Sequence, residues 1–116
     1  MDDNVIYKLS KQFALRIIKL YSYLYLTKRE IVISKQIYKS GTSIGANIAE
    51  SKFAQSDADY ISKLKIALKE GSETKYWLEL LMESAMITKS EFLSLENDLK
   101  TIIGTLVNII NKMEKK

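Results

Sequence analysis

The chain of 116 residues contains no proline, no cysteine and no histidine, only four glycines and a single tryptophan. Without cysteine there are no disulfides or thiolate ligands, and without histidine there is no imidazole base. Zinc sites built on those residues, Cys or His nucleophiles and Ser-His-Asp triads are therefore excluded, and most hydrolase chemistry with them. No proline interrupts a helix from within. The longest apolar runs are three or four residues, far short of the about 20 that span a bilayer. The stretch "MDDNV" is acidic where a secretory signal is basic, and no apolar segment with a cleavage site follows. The expectation is a cytoplasmic protein with no membrane segment, and one that is not an enzyme: no cofactor, no metal and no small-molecule substrate.

The composition, 47% hydrophobic and 28% charged, fits one globular domain covering residues 1–116. Its net charge of +4 is unevenly spread. Residues 1–39 carry eight Lys and Arg against three acids, a sum of +5, which leaves −1 for the remainder. A basic first third is compatible with a polyanionic partner.

Four segments show helical periodicity, at about 4–26, 28–52, 57–86 and 89–114. In the first, Ile6, Leu9, Phe13, Ile17, Leu20, Tyr21 and Leu24 share one face, while Lys8, Lys11, Gln12, Arg16, Lys19, Ser22 and Tyr23 share the other. The second is expected to start at "TKRE", where Thr27 and Glu30 have capping-box spacing, and to carry the stripe Ile33, Ile37, Ile44 and Ile48. "EIVIS" alone reads equally as a strand, but the longer stripe favours a helix. Lys28, Lys35 and Lys39 lie opposite it. The third opens with Ser56 as N-cap and buries a stripe from Tyr60 and Leu64 through Ala67, Leu68, Gly71, Thr74, Leu78 and Leu81 to Ala85. The fourth opens with the Thr88/Glu91 capping-box pair, and Phe92, Leu95, Leu99, Ile102, Leu106, Ile109 and Met113 follow at three- and four-residue steps. Four helices joined by short polar breaks predict an all-α, antiparallel up-down-up-down four-helix bundle.

The segment "SGTSIGANIAES" invites comparison with a phosphate-binding loop, but it has G-x-x-x-G spacing, lacks the following lysine and follows no strand. The alternative is a helix thinned for close packing, with Gly41, Gly45 and Ala49 at i, i+4 and i+8. Each glycine costs a helix interior about 1 kcal/mol relative to alanine, which packing must offset. Ala67 and Gly71 of the third helix are the expected counterparts, Asn47 is expected to tie a neighbouring helix, and Gly45→Leu to loosen the protein. On the third helix Ile66, Glu70, Glu73, Trp77 and Leu80 form a stripe off the core face. Glu50, Glu70 and Glu73 could be read as metal carboxylates, but di-iron bundles use Glu-x-x-His pairs and there is no histidine. An oligomer interface is the preferred reading.

"SGTSIGANIAES" followed by "DYISKLKIALKEGSETKYWLELL" closely resembles the paired signatures of the bacterial four-helix bundle proteins known as 23S rRNA intervening-sequence proteins. The resemblance spans essentially the whole chain. It implies a barrel-like homopentamer, some members being encoded within intervening sequences of ribosomal RNA genes. In a related branch, the accessory proteins of diversity-generating retroelements, a basic pentamer engages a reverse transcriptase and nucleic acid. The motif covers Asn47, Glu50, Glu70, Glu73, Tyr76 and Trp77 and implies no catalytic role for them. The resulting expectation is a homo-oligomeric adapter that binds RNA or a nucleic-acid-processing partner through Lys8, Lys11, Arg16, Lys19, Lys28, Lys35 and Lys39. The alternative is a protein–protein interaction module that does not touch nucleic acid.

Overall fold

A computed structural model describes residues 3–115. Helix α1 spans Asp3–Ser22 and runs into a π-helical turn, Tyr23–Thr27; α2 spans Ile33–Ser51, α3 Asp57–Glu83 and α4 Lys89–Glu114. The helices form an antiparallel up-down-up-down bundle measuring 47 × 22 × 19 Å, the long dimension matching the about 40 Å of a 27-residue helix. Consecutive helices pack closely, and α1 and α4 meet more sparsely.

The periodic stripes become the core. Ile6, Phe13 and Ile17 of α1, Leu24 of the π-helical turn, Ile37, Ile44 and Ile48 of α2, Leu64, Ala67, Leu78 and Leu81 of α3, and Leu99, Ile102 and Leu106 of α4 are at most 1% exposed. Ile110 is buried as well, whereas Ile109 and Met113 are half-buried beside it. Ser56 caps α3 by accepting from the Asp59 N–H, and Thr88 and Glu91 form a reciprocal capping box on α4.

Helix boundaries differ from the sequence reading at two turns. Helix α2 starts at Ile33, five residues later than expected, and Thr27 and Glu30 form no capping box. Instead the Glu30 carboxylate accepts from the Ser34 N–H at 2.7 Å and the Val32 N–H at 3.2 Å, capping a start further along the chain. Arg29, at φ 58°, reverses the backbone, and Ile31 and Val32 are exposed loop residues. Helix α3 ends at Glu83, so Ala85 is an exposed turn residue rather than part of the core stripe. The Met86 N–H donates to the Leu81 carbonyl and the Ala85 N–H to the Met82 carbonyl, a Schellman closure with Ala85 in the left-handed region at φ 61°.

The glycines of α2 do permit close packing, but against α1 rather than α3. A Cβ at Gly41 would lie 2.8 Å from Ile17 Cγ1, and one at Gly45 would lie 3.3 Å from Ser10 Oγ and 3.5 Å from the Ser10 carbonyl oxygen. Gly71 faces α4 instead, with Ile103 Cγ1 3.3 Å from a Cβ placed there. Ala67 is buried in the core and Ala49 half-buried. Among the described residues Asn47 ties no neighbouring helix: its side-chain amide donates to the Ser43 carbonyl of its own helix at 2.8 Å. A buried polar tie between α2 and α3 is made by Ser40 and Thr74, whose hydroxyls are hydrogen-bonded at 2.9 Å.

Candidate nucleic-acid interface

The seven expected basic residues divide into six exposed lysines and one engaged arginine. Lys8, Lys11, Lys19, Lys28, Lys35 and Lys39 are exposed, and none of them is in an ion pair with another described residue. Arg16 differs. Its Nη1 donates to Asp98 Oδ2 at 2.7 Å and to the Ser94 carbonyl at 3.3 Å, and its Nη2 donates to Ser94 Oγ at 2.9 Å. The guanidinium fork is thereby committed to α4, closing the sparsest of the adjacent helix pairs, and is a structural clamp more than an open cation. Lys19 lines a shallow cavity with Arg16 at the start of α4. Lys39 contributes on the α3 side, where its charge acts on Glu70.

Helices α1 and α2 bring two of the expected lysines beside tyrosines. At one end, Lys11 Nζ lies 5.8 Å from the ring centroid of Tyr7, and Lys52 Nζ approaches the same ring to 3.9 Å, the geometry of cation–π contact. Sequence reasoning omitted Lys52 because it follows the helix-packing motif and shares no periodic stripe with the other lysines; only the antiparallel docking of α2 places it over Tyr7. At the other end Lys35 Nζ is 5.8 Å from the Tyr25 ring centroid. Between these ends the surface dips into a cavity of about 220 Å³ lined by Tyr7, Lys11, Ala14, Thr42, Gly45, Ala46 and Ala49. Leu15, 55% exposed, is four residues from both Lys11 and Lys19 and so shares their face.

The stripe expected at an oligomer interface is mixed. Ile66 and Glu73 are exposed, whereas Glu70, Trp77 and Leu80 are half-buried. Trp77 packs against the core of its own chain, its indole N–H donates to Glu73 Oε1 at 3.3 Å, and the Tyr76 ring meets it edge-on at 5.0 Å. Burial first, and then the neighbouring Glu73 charge, push the Glu70 carboxyl above its ordinary value, while Lys39 and Lys69 pull it back. Glu50 pairs with Lys63 at 3.4 Å. Among the described residues, no three of His, Cys, Asp and Glu are grouped so as to hold a metal ion, and no helix is long and apolar enough to cross a membrane.

Comparison with known proteins supplies the relationship. The model of the family described as 23S rRNA-intervening sequence protein matches residues 2–108. Among solved structures, a protein of unknown function from the S23 ribosomal protein family of Bacteroides thetaiotaomicron is 52% identical, superposes with a TM-score of 0.94, and is matched over 96% of this chain and 99% of its own. No curated protein matches the chain. With the match covering nearly the whole bundle, the chain belongs to the 23S rRNA-intervening sequence protein family.

Proposed function

We propose that this protein is a non-enzymatic, homo-oligomeric adapter of the cytoplasm that binds RNA, or a partner that processes nucleic acid, through the basic faces of α1 and α2. The observation that carries this reading is the set of six exposed lysines without ion-pair partners among the described residues. A lysine already neutralised by a carboxylate has little to offer a phosphate, whereas an unpaired one releases a condensed counterion on contact. A pentamer is the assembly that the family resemblance implies, and Ile66 and Glu73 with the half-buried Glu70, Trp77 and Leu80 remain one surface for it.

The test is fluorescence anisotropy with a labelled structured RNA over a salt series. Affinity should fall log-linearly with salt, and Lys8, Lys11, Lys28 and Lys35 changed together to Gln should flatten the slope by about 0.7–0.9 for each phosphate no longer neutralised. Absence of binding at about 50 mM salt, where such pairing is strongest, overturns the reading. One observation favours the alternative of a protein–protein interaction module: Leu15, Leu26, Val32 and Phe53 are 55%, 69%, 66% and 87% exposed. A protein partner retained after nuclease treatment would support it. Solution mass with and without RNA reports the assembly.

A further inference from the structure

Three tyrosines converge where the end of α1 meets the start of α2. The Tyr21 ring centroid is 5.5 Å from that of Tyr25 and 4.8 Å from that of Tyr38, and Lys35 Nζ lies over Tyr25 at 5.8 Å. Core packing does not explain the cluster. Tyr7, Tyr60 and Trp77 are half-buried rings packed against the hydrophobic core, whereas Tyr21 and Tyr25 are half-buried without joining it, and Tyr38, 40% exposed, is the cluster's ring most open to solvent. The π-helical turn Tyr23–Thr27 lies within the cluster. Such turns insert a residue into a helix, and they recur at functional sites.

The surroundings are positive. Lys35, over the Tyr25 ring, and Lys28, which directly follows the π-helical turn, are both exposed. The nearest acid in sequence, Glu30, spends both carboxylate oxygens on the Val32 and Ser34 N–H groups. We propose that Tyr21, Tyr25 and Tyr38, with Lys35 beside them, form a stacking platform for unpaired bases, so that this face takes single-stranded nucleic acid ahead of duplex. The inference rests on the nucleic-acid reading above and specifies its ligand. Every base offers a π-face to an exposed ring, and the lysines meet the backbone phosphates. A duplex hides its base faces in the stack and offers the platform phosphates alone.

The experiment measures anisotropy with a labelled U-rich 12-mer RNA, the matching single-stranded DNA and a fully paired RNA duplex. Single strands should bind tighter than duplex. Either strand bound ahead of duplex supports the platform, and the tighter of the two identifies the ligand. Tyr38→Leu should weaken single-strand binding about 5- to 150-fold, the range for loss of one stacked base, leaving duplex binding and the salt slope unchanged, whereas Tyr38→Phe should bind as wild type. Lys35→Gln should instead reduce the slope by about 0.7. Melting curves establish that each variant is folded. Should Tyr38→Leu fail to fold, ultraviolet crosslinking of the wild-type complex, read by mass spectrometry, replaces it: adducts on Tyr38 or Tyr25 support the platform, and their absence overturns it. A Tyr38→Leu protein that binds single strands like wild type, or wild type that prefers duplex, overturns the platform while leaving polyanion binding intact. No binding to any of the three at about 50 mM salt overturns both.

Discussion

Replacing glycines by alanine measures how tightly α2 lies against α1. None of the glycines has positive φ, so each substitution gains about 1 kcal/mol from helix propensity before any neighbour is considered. Gly104 supplies the baseline, because a Cβ there meets nothing within 4 Å. Gly104→Ala should therefore gain about 1 kcal/mol, or about 4 °C in Tm for a chain of this size. At Gly41 the new Cβ would sit 2.8 Å from Ile17 Cγ1 and 3.0 Å from Cγ2. Both are γ carbons of a β-branched side chain that is 0% exposed. They cannot swing aside within a helix, so the backbones must part. Overpacking costs about 1–3 kcal/mol, and after the propensity gain the net loss is up to about 2 kcal/mol, a fall in Tm of up to about 8 °C.

Gly45 is intermediate. Its Cβ would meet the Ser10 hydroxyl at 3.3 Å and the Ser10 carbonyl oxygen at 3.5 Å; the hydroxyl can give slightly, and the carbonyl is already at ordinary contact distance. Gly45→Ala should fall within about 0.5 kcal/mol of wild type, as strain and propensity nearly cancel, whereas Gly45→Leu has no such margin and should loosen the bundle. Thermal unfolding followed by far-ultraviolet circular dichroism gives the order. A Gly41→Ala protein as stable as Gly104→Ala would refute the argument that α1 is the close neighbour.

Other side chains give equally measurable outcomes. Arg16→Gln breaks the clamp to Asp98 and Ser94 and should cost about 0.5–1 kcal/mol in urea unfolding, the range for a partly exposed pair, with little change in RNA affinity. Ala85→Gly removes a left-handed alanine at φ 61° and should raise stability by about 0.5–1 kcal/mol, net of the greater freedom of glycine in the unfolded chain; an unchanged Tm would mean that the turn relaxes without strain. Glu70, whose carboxyl is raised above 4.5 chiefly by burial and then by Glu73, binds its proton more tightly folded than unfolded. Its contribution is present below that value and lost as pH rises through the folded pKa. Glu70→Gln should therefore melt above wild type at neutral pH, with the gap closing below pH 4.5; a gap that widens on acidification contradicts the sign.

The bundle was legible because amphipathic periodicity and two caps report helices directly. Ile17, Ile44, Leu78 and Leu99 lie buried where their spacing placed them. The turn before α2 was not, because a carboxylate can cap from more than one offset: Glu30 pairs with Ser34 four residues ahead rather than reciprocally with Thr27 behind. The partner of the thin face was also hidden. A helix in a four-helix bundle has two adjacent neighbours, and a small-residue stripe states that one of them comes close without saying which. Arg16 illustrates the limit for the site, since only the docking of α4 brings Asp98 to its guanidinium. Lys52 is the converse case, a lysine whose position over Tyr7 depends on where α2 ends relative to α1.

The two flanks of α2 perform different tasks, and together they position the lysines. Toward α1 the helix offers Gly41 and Gly45, which let the backbones approach; toward α3 it offers Ser40, hydrogen-bonded to Thr74. With both flanks committed to neighbours, the face left to solvent carries Lys35 and Lys39. The seam that seats Gly41 on Ile17 also sets the 4.8 Å approach of the Tyr21 ring of α1 to the Tyr38 ring of α2, since Tyr21 lies one helical turn beyond Ile17 and Tyr38 three residues before Gly41. A wider seam would part those rings before it exposed the core. The small residues of "SGTSIGANIAES" thus need no chemistry of their own to matter for binding: their absent side chains fix the spacing on which the tyrosine cluster depends.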